Sequence, residues 1–281
     1  MSIPFARTLS LLLAILATVP LLAKAGVEKV FAKDNLVAWC IVPFDAKKRG
    51  PAERADMAKR LGFTKIAYDW RGEHVPTFEQ EILEYKKRDI EFFAFWSWHD
   101  SFEPLIKKHG IKPQIWKTLG SPKGETQEAK VDAAAGSMLP LLKKCEPHGL
   151  KLGLYNHGGW GGEPANLVAV CQALHKQGHK NVGIVYNFHH GHGQVEDFKA
   201  SLQAMKPYLR CLNLNGMSGK NQQFQKILPI GRGANETQML KEILEVGYEG
   251  PIGILGHVAS RDVEIVLKEN LKGLRELTGK L

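Results

Sequence analysis

The sequence predicts an α/β fold, a single (β/α)8 TIM barrel. Three observations carry this expectation. Short apolar runs alternate with longer amphipathic ones, eight such pairs follow the first 25 residues, and polar residues gather at one end of the apolar runs. Strands that alternate with helices form βαβ units and a parallel sheet, and eight units in about 250 residues close into a barrel.

The strand expectations are Leu36–Val42, Thr64–Asp69, Glu91–Trp96, Gln114–Leu119, Leu150–Asn156, Val182–Asn187, Leu209–Leu214 and Ile252–Leu255. Each is a strand-length apolar run bounded by turn residues, the pattern of a strand buried on both faces. The clearest helix is Gln127–Cys145, with Val131, Ala134, Met138, Leu141, Leu142 and Cys145 on one stripe at helical spacing. Another follows the last strand, carried by Val263, Val266, Leu267, Leu271, Leu274 and Leu277. A doubly wound open sheet is the alternative. However, the first strand-to-helix turn, "VPFDAKKRGPAE", has no Gly-x-Gly-x-x-Gly fingerprint, which argues against a dinucleotide-binding version. No linker divides the chain.

The first 25 residues read as a secretory leader, with the barrel domain spanning 26–281. Arg7 precedes "TLSLLLAILATVPLLAKA", an apolar segment too short for a stable span that ends in Ala-x-Ala at Ala25. An uncleaved N-terminal anchor is the alternative. The expected location is therefore periplasmic or secreted, with no stable membrane insertion after cleavage. The formal charge is +9, and removing Arg7 and Lys24 with the leader leaves +7. The basic residues are interleaved with acids, as in "EYKKRDIE", so they read as solvated helix faces. Nucleic acid, which wants a concentrated basic stripe, is not an expected partner. Cys40, Cys145, Cys171 and Cys211 match no zinc spacing, and Cys40 and Cys211 sit inside apolar runs as buried thiols.

In a barrel the chemistry lies at the carboxyl ends of the strands. Those ends are conspicuously polar here. Strand two runs into Asp69, Arg71, Glu73 and His74, and strand three into Trp98, His99 and Asp100. Strand four carries Trp116 and Lys117, and strand five ends in Asn156, His157, Trp160 and Glu163. Strand six runs into Asn187, His189, His190 and His192, strand seven into Asn213 and Asn215, and strand eight into His257. Trp70, Trp96, Trp98, Trp116 and Trp160 all lie near expected strand ends. Flat aromatic faces stack on sugar rings while Asn, Asp and His bond hydroxyls, so a small carbohydrate is the expected substrate. The expected contacts are Trp39, Asp69, Trp98, His99, Trp116, Asn156, Trp160, Asn187, Asn213 and Asn215. Lone tryptophans near strands are also common core fillers.

The ordered motifs "GLYNHGGWGGEPAN", "NVGIVYNFHHGH", "LNLNGM", "ILPIGRG" and "GYEGPIGILGH" resemble the xylose-isomerase-like TIM barrels. That superfamily includes sugar and sugar-phosphate isomerases and epimerases and is related to family-2 AP endonucleases. The likeness spans nearly the whole mature chain and is nearest to exported members of the sugar phosphate isomerase/epimerase type. It implies a divalent metal at the mouth, held by a strand-five Glu, an Asp-x-x-His after strand six, a His or Asp near strand seven, and a strand-eight Glu. The metal would polarise a carbonyl while carboxylates move protons at the adjacent carbon.

This chain departs from that pattern. The matching positions are Asn156, Asn187 with His190, Asn213 or Asn215, and His257. Neutral groups replace the anionic ligands, and imidazoles suit zinc, nickel, copper or iron better than magnesium. The expected metal set is His157, His190 and His257, with Glu73 or Asp69 as carboxylate and zinc, iron or manganese as candidate ions. Candidate acid/base groups are Glu73, His157, His190 and Lys117. Three readings follow: a sugar isomerase/epimerase-like enzyme, a sugar-binding barrel or metal-free lyase, and, least favoured for want of carboxylates, a DNA-repair nuclease. "PIGRGANE" reads as a strand-to-helix turn rather than an anion loop.

Overall fold

A computed structural model describes residues 26–218 and 225–281. The leader expected over 1–25 lies outside the described residues. Eight strands, β1 (Leu36–Trp39), β2 (Lys65–Tyr68), β3 (Glu91–Trp96), β4 (Gln114–Thr118), β5 (Leu152–Tyr155), β6 (Val182–Asn187), β7 (Leu209–Leu214) and β8 (Ile252–Leu255), close in chain order into a barrel. Every pairing is parallel, and β1 closes on β8 with Leu36 opposite Ile252 and Trp39 opposite Leu255. Eight helices alternate with them: α1 (Pro51–Leu61), α2 (Phe78–Lys87), α3 (Glu103–His109), α4 (Gln127–Cys145), α5 (Pro164–Lys176), α6 (Phe198–Met205), α7 (Glu236–Glu245) and α8 (Val263–Thr278).

Two apolar layers hold the barrel. The larger lies between strands and helices, and the smaller fills the interior with Val37, Trp39, Ala67, Phe93, Trp116, Tyr155, Val185, Cys211 and Leu255. Two glycines shape that interior. A Cβ on Gly153 would lie 2.6 Å from Val185 and 3.0 Å from the Trp116 ring, so its absence makes room for the indole. A Cβ on Gly253 would lie 1.7 Å from Asn213 Oδ1, so β8 yields space to a β7 side chain.

The α4 stripe is buried at Ala134, Met138, Leu142 and Cys145, with Ala135 beside them, whereas Val131 and Leu141 stay half-buried. Thr126 caps α4 through its hydroxyl, which accepts from Ala129 N at 3.1 Å. Asp262 caps α8 in the same way, accepting from Glu264 N at 3.0 Å. All four cysteines are buried and free. The turn at "PIGRGANE" is closed by its own helix: Gly231 N and Gly233 N both donate to the buried Glu236 carboxylate, at 3.1 and 2.8 Å. Those amides are spent, as a plain turn requires. Among the described residues no helix is long and apolar enough to cross a membrane.

Candidate functional site

The carboxyl ends of the strands surround an open cleft. Its floor is aromatic. Trp39 packs its ring 5.8 Å from Trp96 and 5.9 Å from Tyr155, and Trp96 meets Tyr155 edge-on at 4.9 Å. Trp39 Nε1 donates to the Tyr155 hydroxyl at 3.3 Å, so the indole satisfies its polar atom within the floor.

One wall belongs to β1 and β2. Cys40 follows β1 with φ of 56°, an uncommon conformation for a residue with a side chain, and turns its thiol beside Asp69. Burial first, and the neighbouring carboxyl second, push that thiol well above its ordinary pKa. Asp69 is buried immediately after β2. Its Oδ1 accepts from Val42 N at 3.2 Å, while its Oδ2 has no hydrogen-bond partner. Burial raises the Asp69 pKa to about 7, against the opposing pull of Arg71. Arg71 sits on the rim, with Nη1 donating to the Asp69 and Trp70 carbonyls at 2.9 and 2.8 Å and its guanidinium 5.6 Å from the Phe44 ring centre.

The facing wall is a group of imidazoles from the loops after β5, β6 and β8. The His157 and His190 rings lie 4.3 Å apart, His189 and His190 3.9 Å, and His189 and His257 6.1 Å. His257 also stacks on Phe44 at 3.6 Å. Burial is the leading cause that lowers all four, with His190 brought to about 3 and His257 to about 4. Lys226 above them adds to the effect. The imidazoles are therefore neutral near pH 7, each with one donor and one acceptor nitrogen. Nδ1 of His189 and of His257 lacks a hydrogen-bond partner.

Of the sequence-derived site residues, Trp39, Asp69, His157, His190 and His257 line this cleft. The others lie elsewhere, for identifiable reasons. Trp116 is fully buried beneath Trp39 at 4.8 Å and donates to Gln114 at 3.0 Å, so it is core rather than a sugar platform. Asn156, Asn187 and Asn213 are fully buried and bonded to one another. Asn187 Nδ2 donates to Asn156 Oδ1 at 2.7 Å, and Asn213 Nδ2 to Asn187 Oδ1 at 2.5 Å. These amides brace β5, β6 and β7 and have no face on the cleft.

Asn215 holds a loop, its Nδ2 donating to Lys226 O at 2.9 Å. Trp98 bonds Asp100, Trp160 bonds Gln127 and His99 packs on Trp70, all outside the lining. Lys117 donates to Ser97 at 3.2 Å and is also outside it. Glu73, with a side chain 71% exposed, opens onto a neighbouring groove with His74.

The cleft also contains residues that the sequence reading did not single out: Cys40, Phe44, Tyr155 and Lys226. His189 lies beside His190 in the same lining. Lys226 lies well past β7 in sequence, with no strand-end signal to mark it.

The residues as placed do not fit the metal centre that the resemblance implies. Among the described residues no group of three or more His, Cys, Asp or Glu side chains could hold a metal ion. Two of the carboxylate positions are occupied by Asn156 and Asn187, whose amides are engaged with each other. His157 and His190 pack ring against ring, and His257 packs on Phe44, instead of converging their nitrogens.

Comparison with known proteins agrees with the architecture. The 3-keto-D-glucoside 4-epimerase of E. coli, in apo form, superposes with a TM-score of 0.65 at 14% identity, over 87% of this chain and 100% of that one. A D-tagatose 3-epimerase-like protein gives 0.64 at 16% identity, over 87% and 98%. The IOLI protein, solved with a bound zinc atom, gives 0.64 at 14% identity, over 87% and 98%. At these identities the likeness establishes the fold alone. No curated protein matches the sequence. A family model described as "Xylose isomerase-like TIM barrel" matches residues 104–277, more than half of the chain. With eight parallel strands closed in chain order and a polar cleft at their carboxyl ends, the chain belongs to the xylose isomerase-like TIM barrel family.

Proposed function

We propose that this protein is a sugar isomerase/epimerase-type enzyme that moves a proton at a carbon next to a carbonyl, with Asp69 as the proton carrier. The observation that carries the reading is Asp69 itself. It is the carboxyl that lines the cleft, it is buried, and one of its oxygens is unbonded. A pKa of about 7 leaves it divided between acid and base at neutral pH, which suits a group that must both take and return a proton. Structural neighbours that act on sugars, among them the 3-keto-D-glucoside 4-epimerase, support the substrate class.

The ionised Asp69 takes the proton, and the C–H electron pair forms the carbon–carbon double bond of an enediolate. The carbonyl π pair moves onto oxygen, where N–H groups of the neutral cleft imidazoles donate hydrogen bonds to it. Protonated Asp69 then returns the proton to the adjacent carbon while a neutral cleft imidazole passes the hydroxyl proton from the second oxygen to the first, so that the second oxygen becomes the new carbonyl. The strands that carry Asp69 and His190, β2 and β6, are diametrically opposite in the ring, so a substrate between them meets neutral imidazoles on its other face. These hold its oxygens by donating or accepting hydrogen bonds. Trp39, Trp96 and Tyr155 supply the apolar floor. No step is routed through a metal.

The test is solvent exchange. Keto-hexoses, 3-keto-glycosides and hexuronates are incubated with the protein in D2O, and loss of a carbon-bound proton is followed by NMR. At least one class exchanges in the wild type and none in Asp69→Asn. Exchange that persists in Asp69→Asn refutes the assignment. Binding without exchange leaves a sugar-binding barrel. We extend the reading to an exported enzyme cleaved after Ala25; an N-terminus at Gly26 in the mature protein is the expected result.

A further inference from the structure

We infer that the natural substrate is an acidic sugar whose carboxylate is held between Arg71 and Lys226 at the rim of the cleft. The inference rests on the mouth being a sugar site, as proposed above. Its own basis is the charge of the lining. Two side-chain cations, Arg71 and Lys226, face a single carboxyl, Asp69. Among the described residues neither cation forms an ion pair, and Arg71 spends Nη1 on main-chain carbonyls instead.

Lys226 is not a stray surface lysine. Its carbonyl accepts from His192 Nε2 at 3.1 Å and from Asn215 Nδ2 at 2.9 Å. Both gripping residues are buried. Two buried polar side chains thus fix the backbone beneath an exposed cation that overhangs the cleft. The positive potential converges there: Lys226 disfavours protonation of His157, His190 and His257, and Arg71 does the same at His257.

A neutral sugar would leave both charges uncompensated. An anion would pair with them and make charge-assisted hydrogen bonds. A carboxylate is favoured over a phosphate because the lining contains no glycine and no α-helix start, the features that present backbone amides to phosphate oxygens. The overall charge of +9 draws anions toward the protein in the same sense.

The experiment is calorimetric binding of D-glucuronate, D-galacturonate, D-glucose, D-galactose and D-glucose 6-phosphate, using wild type, Lys226→Met and Arg71→Met at low and moderate salt. A uronate is expected to bind at least about tenfold more tightly than its parent hexose. Each substitution removes most of that preference, and added salt weakens uronate binding more than hexose binding. Both substituted residues are exposed, so circular dichroism of the variants is expected to match the wild type. A hexose that binds as tightly as its uronate overturns this inference alone. Tighter binding of glucose 6-phosphate than of either uronate overturns the carboxylate assignment. Failure of all five to bind overturns the sugar-site reading as well.

Discussion

Replacing Asp69 with asparagine removes an ionisable group from the mouth and leaves its shape nearly unchanged. The wild-type carboxyl has an ordinary value of 3.8 and is raised to about 7 by burial. Moving the carboxyl from 3.8 to about 7 corresponds to about 4 kcal/mol. The direction follows from proton counting. Between pH 4 and 7 the folded protein keeps a proton on Asp69 that the unfolded chain has lost, so this group makes stability fall as pH rises. Its contribution is fully present below about pH 4 and is lost above pH 7. Asparagine has no such dependence.

Urea unfolding of both proteins at pH 4.5, 6 and 8 should therefore give curves that diverge with pH. The Asp69→Asn protein should be more stable by roughly 2–4 kcal/mol at pH 8, with the gap closing toward pH 4.5. Asp69 is not among the charges that perturb the four histidines, so their contributions cancel in the difference. A variant that gains activity-independent stability while losing exchange is the trade expected of a functional group held in an unfavourable place. A gap that does not change with pH, or a variant less stable at pH 8, refutes the reasoning.

Further predictions concern other parts of the site and barrel. His189, His190 and His257 are held neutral by burial, so the wild type should lose stability steeply as pH falls from 6.5 toward 4, and His257→Gln should flatten that slope by about one proton in urea titrations. Gly253→Ala drives a Cβ to 1.7 Å from Asn213 Oδ1 and should abolish soluble expression or lower the melting temperature sharply. Gly136→Ala, on an exposed turn of α4 with nothing within 4 Å, should raise stability by about 0.5–1 kcal/mol. Zinc or manganese added to the protein should not remain at one equivalent after gel filtration. An equivalent that is retained, and lost in His190→Ala, would show that the imidazoles do converge on an ion.

The barrel was legible because parallel strands buried on both faces read as short apolar runs, and each is followed by a helical stretch. β3, β6, β7, β8 and α4 have the ends that the sequence reading assigned them. β1 ends at Trp39 rather than Val42 because Cys40, Ile41 and Val42 remain buried after leaving the sheet, and burial alone does not distinguish strand from packed loop. At the site, strand-end position led to Asp69, His157, His190 and His257, all of which line the cleft. It could not give side-chain direction. Asn156, Asn187 and Asn213 occupy strand ends yet turn toward one another, and Trp116 turns into space left by Gly153. Glu73 lies only four residues beyond Asp69, but the chain has already crossed the rim into another groove. Lys226 was invisible for the opposite reason: it lies well past β7 in sequence, and contacts of its carbonyl with His192 and Asn215 hold it at the mouth.

Proton transfer in the cleft depends most on the state of one carboxyl, Asp69. Protein labelled with 13C at the aspartate carboxyl carbon can be titrated by NMR, with Asp69→Asn supplying the assignment. A single resonance, absent from the variant, is expected to titrate near pH 7 while the four cleft imidazoles stay neutral. An Asp69 resonance that has finished titrating below pH 5 would contradict this expectation, because the cleft would then hold no group able both to take and to return a proton at neutral pH.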